Sequence, residues 1–130
     1  KSWTVLDQFP SAIDGVVIGE GEATFSELIE HLEQDKFRGH ISGMAWRTNN
    51  GIETGPPRKR IDNLDSLASP VNYFESHFII SSRGCPGNCT FCGSASQWGR
   101  LVRFHSVEYT LEMIDTIVNS QKNRIIFFKG

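Results

Sequence analysis

"HFIISSRGCPGNCTFCGS", residues 77–94, runs from a continuous apolar segment straight into a glycine-rich turn that holds all three cysteines of the chain. An unbroken apolar run of this kind marks a strand buried on both faces, as in a parallel sheet. Downstream, Ser106 is a candidate N-cap, and Val107, Leu111, Ile114 and Val118 recur at helical spacing through about Gln121. "RIIFF", residues 124–128, follows as a second buried strand. Strand, loop, helix and strand make a βαβ unit with an expected right-handed crossover. The cysteine loop falls at its C-terminal edge, where α/β folds place ligands.

Further upstream, "AIDGVVIGEGEATFSELIEHLEQD" starts as a short apolar strand at about Ile13 to Ile18, turns through Gly19 and Gly21, and enters a helix. Thr24 followed by Glu27 fits a capping box, and Phe25, Leu28, Ile29 and Leu32 fall on one helical face. This strand, glycine turn and helix are typical of an α/β sheet. "ISGMAWRTNNGIETG" predicts a hairpin about Asn50-Gly51. "PPRKRIDNLDSLASP", residues 56–70, has three prolines and no sustained period, so it reads as an extended connector over a surface. No internal repeat or low-complexity segment is apparent.

With 130 residues, 38% hydrophobic and 22% charged, the composition is globular, and no apolar stretch approaches the roughly 18 to 20 residues of a membrane span. The chain starts at Lys1 and stops just after an apolar run, and so reads as a piece of a longer protein. The net charge of -2 is unevenly spread. Residues 1–75 carry twelve acids against seven Lys or Arg, whereas residues 76–107 carry Arg83, Arg100 and Arg103 and no acid. Nearby positive charge of this kind stabilises thiolates or an anionic ligand. Three arginines in a slightly acidic chain are a poor footprint for nucleic acid, so neither a nucleic-acid nor a membrane partner is expected. An odd number of cysteines on one loop is a poor disulfide framework and a reasonable metal or redox site, which points to a reducing, cytoplasmic compartment.

Cys85, Cys89 and Cys92 are spaced C-x3-C-x2-C. Three thiolates on one loop can grip three irons of a cubane cluster and leave the fourth iron open. Gly84, Gly87 and Gly93 let the backbone bend around a bulky inorganic core and turn amide N–H groups toward sulfides, while Pro86 stiffens the turn. Two other readings stand beside this one. A noncatalytic zinc module would need a fourth ligand, from His77, His105 or outside the chain. An electron-transfer iron-sulfur domain would ordinarily supply four cysteines per cluster.

The cysteine spacing with Phe91 before the last cysteine, following a buried strand, resembles the radical S-adenosylmethionine enzymes. "IDGVVIGEGEATFSELIEHL", "ISGMAWR", "NGIETGPPRKRIDNLDSL" and "SSRGCPGNCTFCGS" resemble, in that order, the subfamily with an N-terminal cobalamin-binding domain. The likeness implies that Cys85, Cys89 and Cys92 hold a 4Fe-4S cluster and that Phe91 contacts the adenine of S-adenosylmethionine. The cofactor would chelate the open iron through its amino and carboxylate groups. An external electron donor would reduce the cluster, and cleavage of the sulfonium would give methionine and a 5'-deoxyadenosyl radical that abstracts hydrogen from an unknown substrate. The parent would be a methyltransferase or a radical oxidoreductase.

The implied fold is α/β. Residues 1–55 end a Rossmann-like, cobalamin-binding-type domain with its hairpin, 56–75 connect, and 76–130 begin a partial (β/α)6 TIM-like barrel. Against the family pattern, the second strand runs into Lys129 and Gly130 where acidic residues often follow. The glycine-rich and acidic elements of later strands are outside the chain, so these residues alone are not expected to complete an active site. Cobalamin belongs to the parent's repertoire, but no D-x-H-x-x-G motif that would supply a cobalamin histidine occurs here, and the chain itself does not support its binding. The arginines read as solvated charges or carbonyl partners, His105 as a residue leading into the helix, and Glu20 and Glu22 as structural acids near a helix N-terminus. Trp98 either shields the loop or packs against the helix that follows.

Overall fold

A computed structural model describes residues 4–34, 41–120 and 125–129. The chain divides into two compact units, Lys1–Arg60 and Ile61–Gly130.

The first unit contains α1 (Thr4–Gln8), β1 (Gly15–Val17), α2 (Glu22–Glu33), β2 (Met44–Thr48) and β3 (Gly51–Thr54). Its sheet has the order β1-β2-β3 and is antiparallel throughout. Val17, where β1 ends, pairs with Met44, where β2 begins, so the chain returning from α2 enters the sheet at the end where it left. The expected strand, glycine turn and helix are all present, but the sheet they join is not a parallel one. The hairpin closes with Thr48 opposite Gly51, which leaves Asn49-Asn50 as the two-residue turn, one residue earlier than the sequence suggests. Ile41, Met44 and Trp46 form the core, and Leu28 packs on it from α2.

The capping box does not form. Helix α2 starts after Gly21 without a side-chain cap, which puts Thr24 inside the first turn. The Thr24 hydroxyl is buried and donates to the Ser42 carbonyl at 3.0 Å. Glu27 pairs with the Arg58 guanidinium, whose Nε also donates to the Ser42 carbonyl at 3.0 Å. Both residues have tertiary partners that outcompete the local cap. Of the predicted apolar face, Leu28 reaches the core and Phe25, Ile29 and Leu32 remain exposed.

The second unit opens with 3-10 turns at Leu64–Ser66 and Pro70–Asn72, followed by β4 (Phe78–Ile80), β5 (Ser82–Arg83), α3 (Ser94–Trp98), β6 (Arg103–Phe104), α4 (Val107–Ser120) and β7 (Phe127–Lys129). Strands β4 and β7 pair in parallel, Ile79 beside Phe128 and Ile80 beside Lys129, with α4 between them in sequence. The last strand lies at 127–129 rather than 124–128; residues 121–124, and with them the predicted helix end at Gln121, lie outside the described residues. Val71, Ile79, Met113 and Ile117 form the core, with Tyr109, Ile114 and Ile126 against it.

Helix α4 carries two overlapping apolar stripes. The expected one is exposed at Val107, Leu111 and Val118, whereas Tyr109, Met113 and Ile117, at i, i+4 and i+8, face the core. The helix N-terminus is anchored as well. Ser106 is the N-cap, its Oγ accepting from the Tyr109 N–H at 3.1 Å. The Asp65 carboxylate accepts from the Ser106 N–H at 3.1 and 3.2 Å and lies 2.9 Å from His105 Nδ1. His105 stacks on Tyr109 with ring centroids 4.4 Å apart, and the Tyr109 hydroxyl donates to the Leu67 carbonyl at 2.8 Å. Residues 61–72 of the expected connector are therefore fixed to α4, with Leu64 and Val71 buried, rather than laid loosely over a surface. Among the described residues no helix is long and apolar enough to cross a membrane.

Ile117→Ala is expected to cost about 2–5 kcal/mol in denaturant unfolding, whereas Leu111→Ala on the exposed stripe should stay within about 0.5 kcal/mol. Equal effects would place the core on the wrong stripe. Hydrogen bonds from the Ser106 side chain, then from His105 and the Ser106 N–H, hold the Asp65 carboxyl below its ordinary value of 3.8. A depressed carboxyl contributes stability that is full above its unfolded pKa and is lost as pH falls through the lowered folded value. Melting curves of the wild type and Asp65→Asn should therefore differ at neutral pH and converge in acid; a constant gap would show that the carboxylate charge is not what holds the helix start.

Candidate metal centre

The cysteine loop is closed at a neck. Strands β5 and β6 pair antiparallel, Ser82 with Phe104 and Arg83 with Arg103, and bracket residues 84–102. The Cys85 N–H donates to the Gly99 carbonyl at 3.0 Å, and the His105 N–H to Ser81 at 3.0 Å. Gly84 has φ +114°, and a Cβ there would run into the Leu101 carbonyl, so the neck admits only glycine at this point. Arg103, 8% exposed, donates from its guanidinium to the carbonyls of Ile61 and, at 3.3 Å, Trp98. It thus ties the 61–72 segment to the end of α3.

Above the neck, Cys85, Cys89 and Cys92 share the wall of one cavity of about 350 Å³ with Gly87, Asn88, Ala95 and Arg100. All three are free thiols, and Cys89 and Cys92 are exposed. A methyl group on Gly87 would stand 3.3 Å from Cys85 Sγ and 3.8 Å from Cys89 Sγ, so its missing side chain keeps the space between the two sulfurs open. The Arg100 guanidinium is hydrogen-bonded to Asn88 Oδ1 across the loop. Ser94 opens α3 and serves Cys92: the Cys92 Sγ lies 3.3 Å from the Ser94 hydroxyl, and the Ser94 N–H donates to it at 3.5 Å. These hydrogen bonds, the side chain first and the backbone second, pull the Cys92 thiol below its ordinary value of 9.0.

Three thiols are a soft donor set. Among the described residues no three His, Cys, Asp or Glu side chains are arranged around one ion. Neither His77 nor His105 lines the cavity, and His105 is held by Asp65, so neither completes a tetrahedral zinc site. A cubane cluster with one free corner takes three thiolates. Phe91 does not join them: it is 91% exposed and outside the cavity wall. Arg103 was readable as a carbonyl partner, but nothing in the sequence marks it as the residue that ties down the neck. The Ser94 contact was missed as well; its signal is only a hydroxyl two residues after the last cysteine.

Fold and site together define an α/β chain with an open three-thiol centre at the end of a parallel strand. No protein-family model matches the chain. An uncharacterized methyltransferase of Pyrococcus horikoshii is 35% identical over 116 residues, covering 81% of this chain and 25% of its own length. The anaerobic magnesium-protoporphyrin IX monomethyl ester cyclase of Synechocystis is 33% identical over 99 residues, covering 68% of this chain and 20% of its own. The radical S-adenosylmethionine methyltransferase TsrM from Kitasatospora setae, with cobalamin and a [4Fe-4S] cluster bound, superposes with a TM-score of 0.67 at 15% identity, over 93% of this chain and 27% of its own. The chain belongs to the radical S-adenosylmethionine enzymes of the cobalamin-binding subfamily. It spans about a quarter of the length of the curated relatives it matches.

Gly84→Ala should lower stability by about 1–3 kcal/mol in denaturant unfolding, because it forces an L residue to positive φ against a backbone oxygen. A variant as stable as the wild type would mean that the neck relaxes and does not fix the loop.

Proposed function

We propose that this chain is the cluster-bearing segment of a radical S-adenosylmethionine enzyme, with Cys85, Cys89 and Cys92 as the three iron ligands. The observation that carries this reading is the convergence of the three thiols on one open cavity whose floor is kept clear by Gly87. Bound and reduced there, a 4Fe-4S cluster supplies the electron that cleaves S-adenosylmethionine to methionine and a 5'-deoxyadenosyl radical.

The chain's own residues have narrower tasks. Ser94 supports the Cys92 thiolate by hydrogen bonding. The β5–β6 neck holds the loop in shape while leaving its face open to cofactor. Phe91, 91% exposed, is available to an adenine ring. Residues 76–130 then begin the (β/α)6 barrel, and residues 1–55 end a cobalamin-binding-type domain despite their antiparallel sheet. Within 56–75, the contacts of Ile61, Asp65 and Leu67 attach the later part to the barrel segment.

Methyl transfer is the favoured reaction class, since the relatives include named methyltransferases; the cyclase shows that the same segment also occurs where a ring is formed. Cobalamin would be a cofactor of the whole protein, held by residues outside this chain. An oxygen-sensitive cluster of this kind suits a reducing cytoplasm.

Anaerobic reconstitution with iron and sulfide should give about four irons per chain and an electron paramagnetic resonance spectrum that S-adenosylmethionine perturbs. Cys89→Ser should lose most of the iron while retaining its melting temperature, since the thiol is exposed. Stoichiometric zinc with no iron uptake would sink the radical reading and leave a structural zinc module.

A further inference from the structure

Ser94 reaches the last thiol of the loop by two routes. Its hydroxyl lies 3.3 Å from Cys92 Sγ, and its backbone N–H donates to the same sulfur at 3.5 Å. The two contacts differ in kind. A backbone N–H is only a donor and is fixed by the chain, whereas a hydroxyl rotates and either accepts or donates. Toward the neutral thiol the Ser94 oxygen accepts from the S–H. Once Cys92 gives up that proton on binding a metal, the same oxygen can turn its own hydrogen onto the sulfur.

Ser94 also stands on a fixed piece of chain. The Gln97 N–H donates to the Gly93 carbonyl at 3.0 Å and the Gly99 N–H to the Ala95 carbonyl at 3.1 Å, which closes α3 at both ends. The Gly99 carbonyl accepts from the Cys85 N–H and the Trp98 carbonyl from Arg103, so the far end of α3 is bound to the neck. The contact with Cys92 is therefore in place before any metal arrives. Hydrogen bonds to a ligating atom tune a metal group as well as orienting its ligand.

Hydrogen bonds to the sulfurs are among the factors that set the reduction potential of an iron-sulfur cluster. Reduction by one electron adds a negative charge that the thiolate ligands share. A donor aimed at a ligand sulfur stabilises the reduced form more than the oxidised one, and so raises the potential. We propose that Ser94 is a positioning residue for the radical reaction, whose hydroxyl, acting through Cys92, raises the reduction potential of the cluster and eases delivery of the electron that cleavage of S-adenosylmethionine requires. The proposal rests on the cluster reading above. The electron comes from the external donor, and Ser94 gives up no proton and forms no covalent bond.

The full chain is reconstituted anaerobically with iron and sulfide and titrated against redox dyes, with the reduced cluster read by electron paramagnetic resonance. At a fixed potential, the ratio of reduced to oxidised cluster should be about tenfold lower in Ser94→Ala than in the wild type, a downward shift of about 59 mV for a one-electron couple. Ser94→Thr, which keeps the hydroxyl, should stay at the wild-type value. So should Thr90→Ala, which removes another exposed hydroxyl of the loop. An unchanged or raised potential in Ser94→Ala overturns the proposal, as does an equal fall in Ser94→Thr or Thr90→Ala. Iron content is measured on the same samples. Loss of iron from Ser94→Ala also overturns it, by making the hydroxyl a condition of ligation and not of potential. A wild type that takes up no iron sinks the cluster reading and this role together, whereas a wild type that loads its cluster and shows no dependence on Ser94 sinks this role alone.

Discussion

An exposed thiol cannot be held in place by burial, and that constraint shapes the second unit. Cys89 and Cys92 are exposed, so hydrophobic packing contributes little to their positions. Order is imposed from below instead, by backbone hydrogen bonds at the neck, a glycine that lets two backbone segments touch, and one buried arginine. A guanidinium sunk to 8% exposure is costly unless its donors find acceptors, and loop carbonyls at Ile61 and Trp98 provide them. The contacts that take up the two Nη groups of Arg103 therefore also fix the loop's base.

The neck in turn depends on the βαβ core. His105, directly after β6, donates its N–H to Ser81, directly before β5, and its ring is gripped by Asp65 and Tyr109. Asp65 also accepts from the N–H of Ser106, the N-cap of α4, a place where the helix dipole favours an acid. One carboxylate thus links the 61–72 segment, the exit from the cysteine loop and the start of the helix that covers β4. The apolar cluster of Val71, Ile79, Met113 and Ile117 closes the circuit by packing that segment under the same helix.

The sequence made plain those features that rest on local chemistry. The cysteine spacing, the existence of the hairpin though not its exact turn, the Ser106 cap and the apolar strand at 78–80 each depend on a few neighbouring residues. What it hid are features decided by distant partners. Thr24 and Glu27 look like a capping box until Ser42 and Arg58 are brought beside them. Helix α4 offers two apolar stripes, and the buried one is the one that meets Val71 and Ile79, residues distant in sequence. The pairing of β5 with β6 involves two residues on each side, too few for any period to register. Three prolines and the lack of a period made 56–70 look like a connector, although Leu64 and Val71 are core residues.

The absence of acids from residues 76–107 gains a physical reason from this arrangement. A carboxylate on the thiol cavity would oppose the ionisation that ligation requires. Arg100 is held against Asn88, a neutral partner that leaves its charge in force. Acid is excluded from the loop, and the carboxylate that the fold does need there, Asp65, is supplied from outside the stretch and points at the helix start instead. The charge gap in the sequence and the thiol cavity in the structure are two views of one electrostatic requirement.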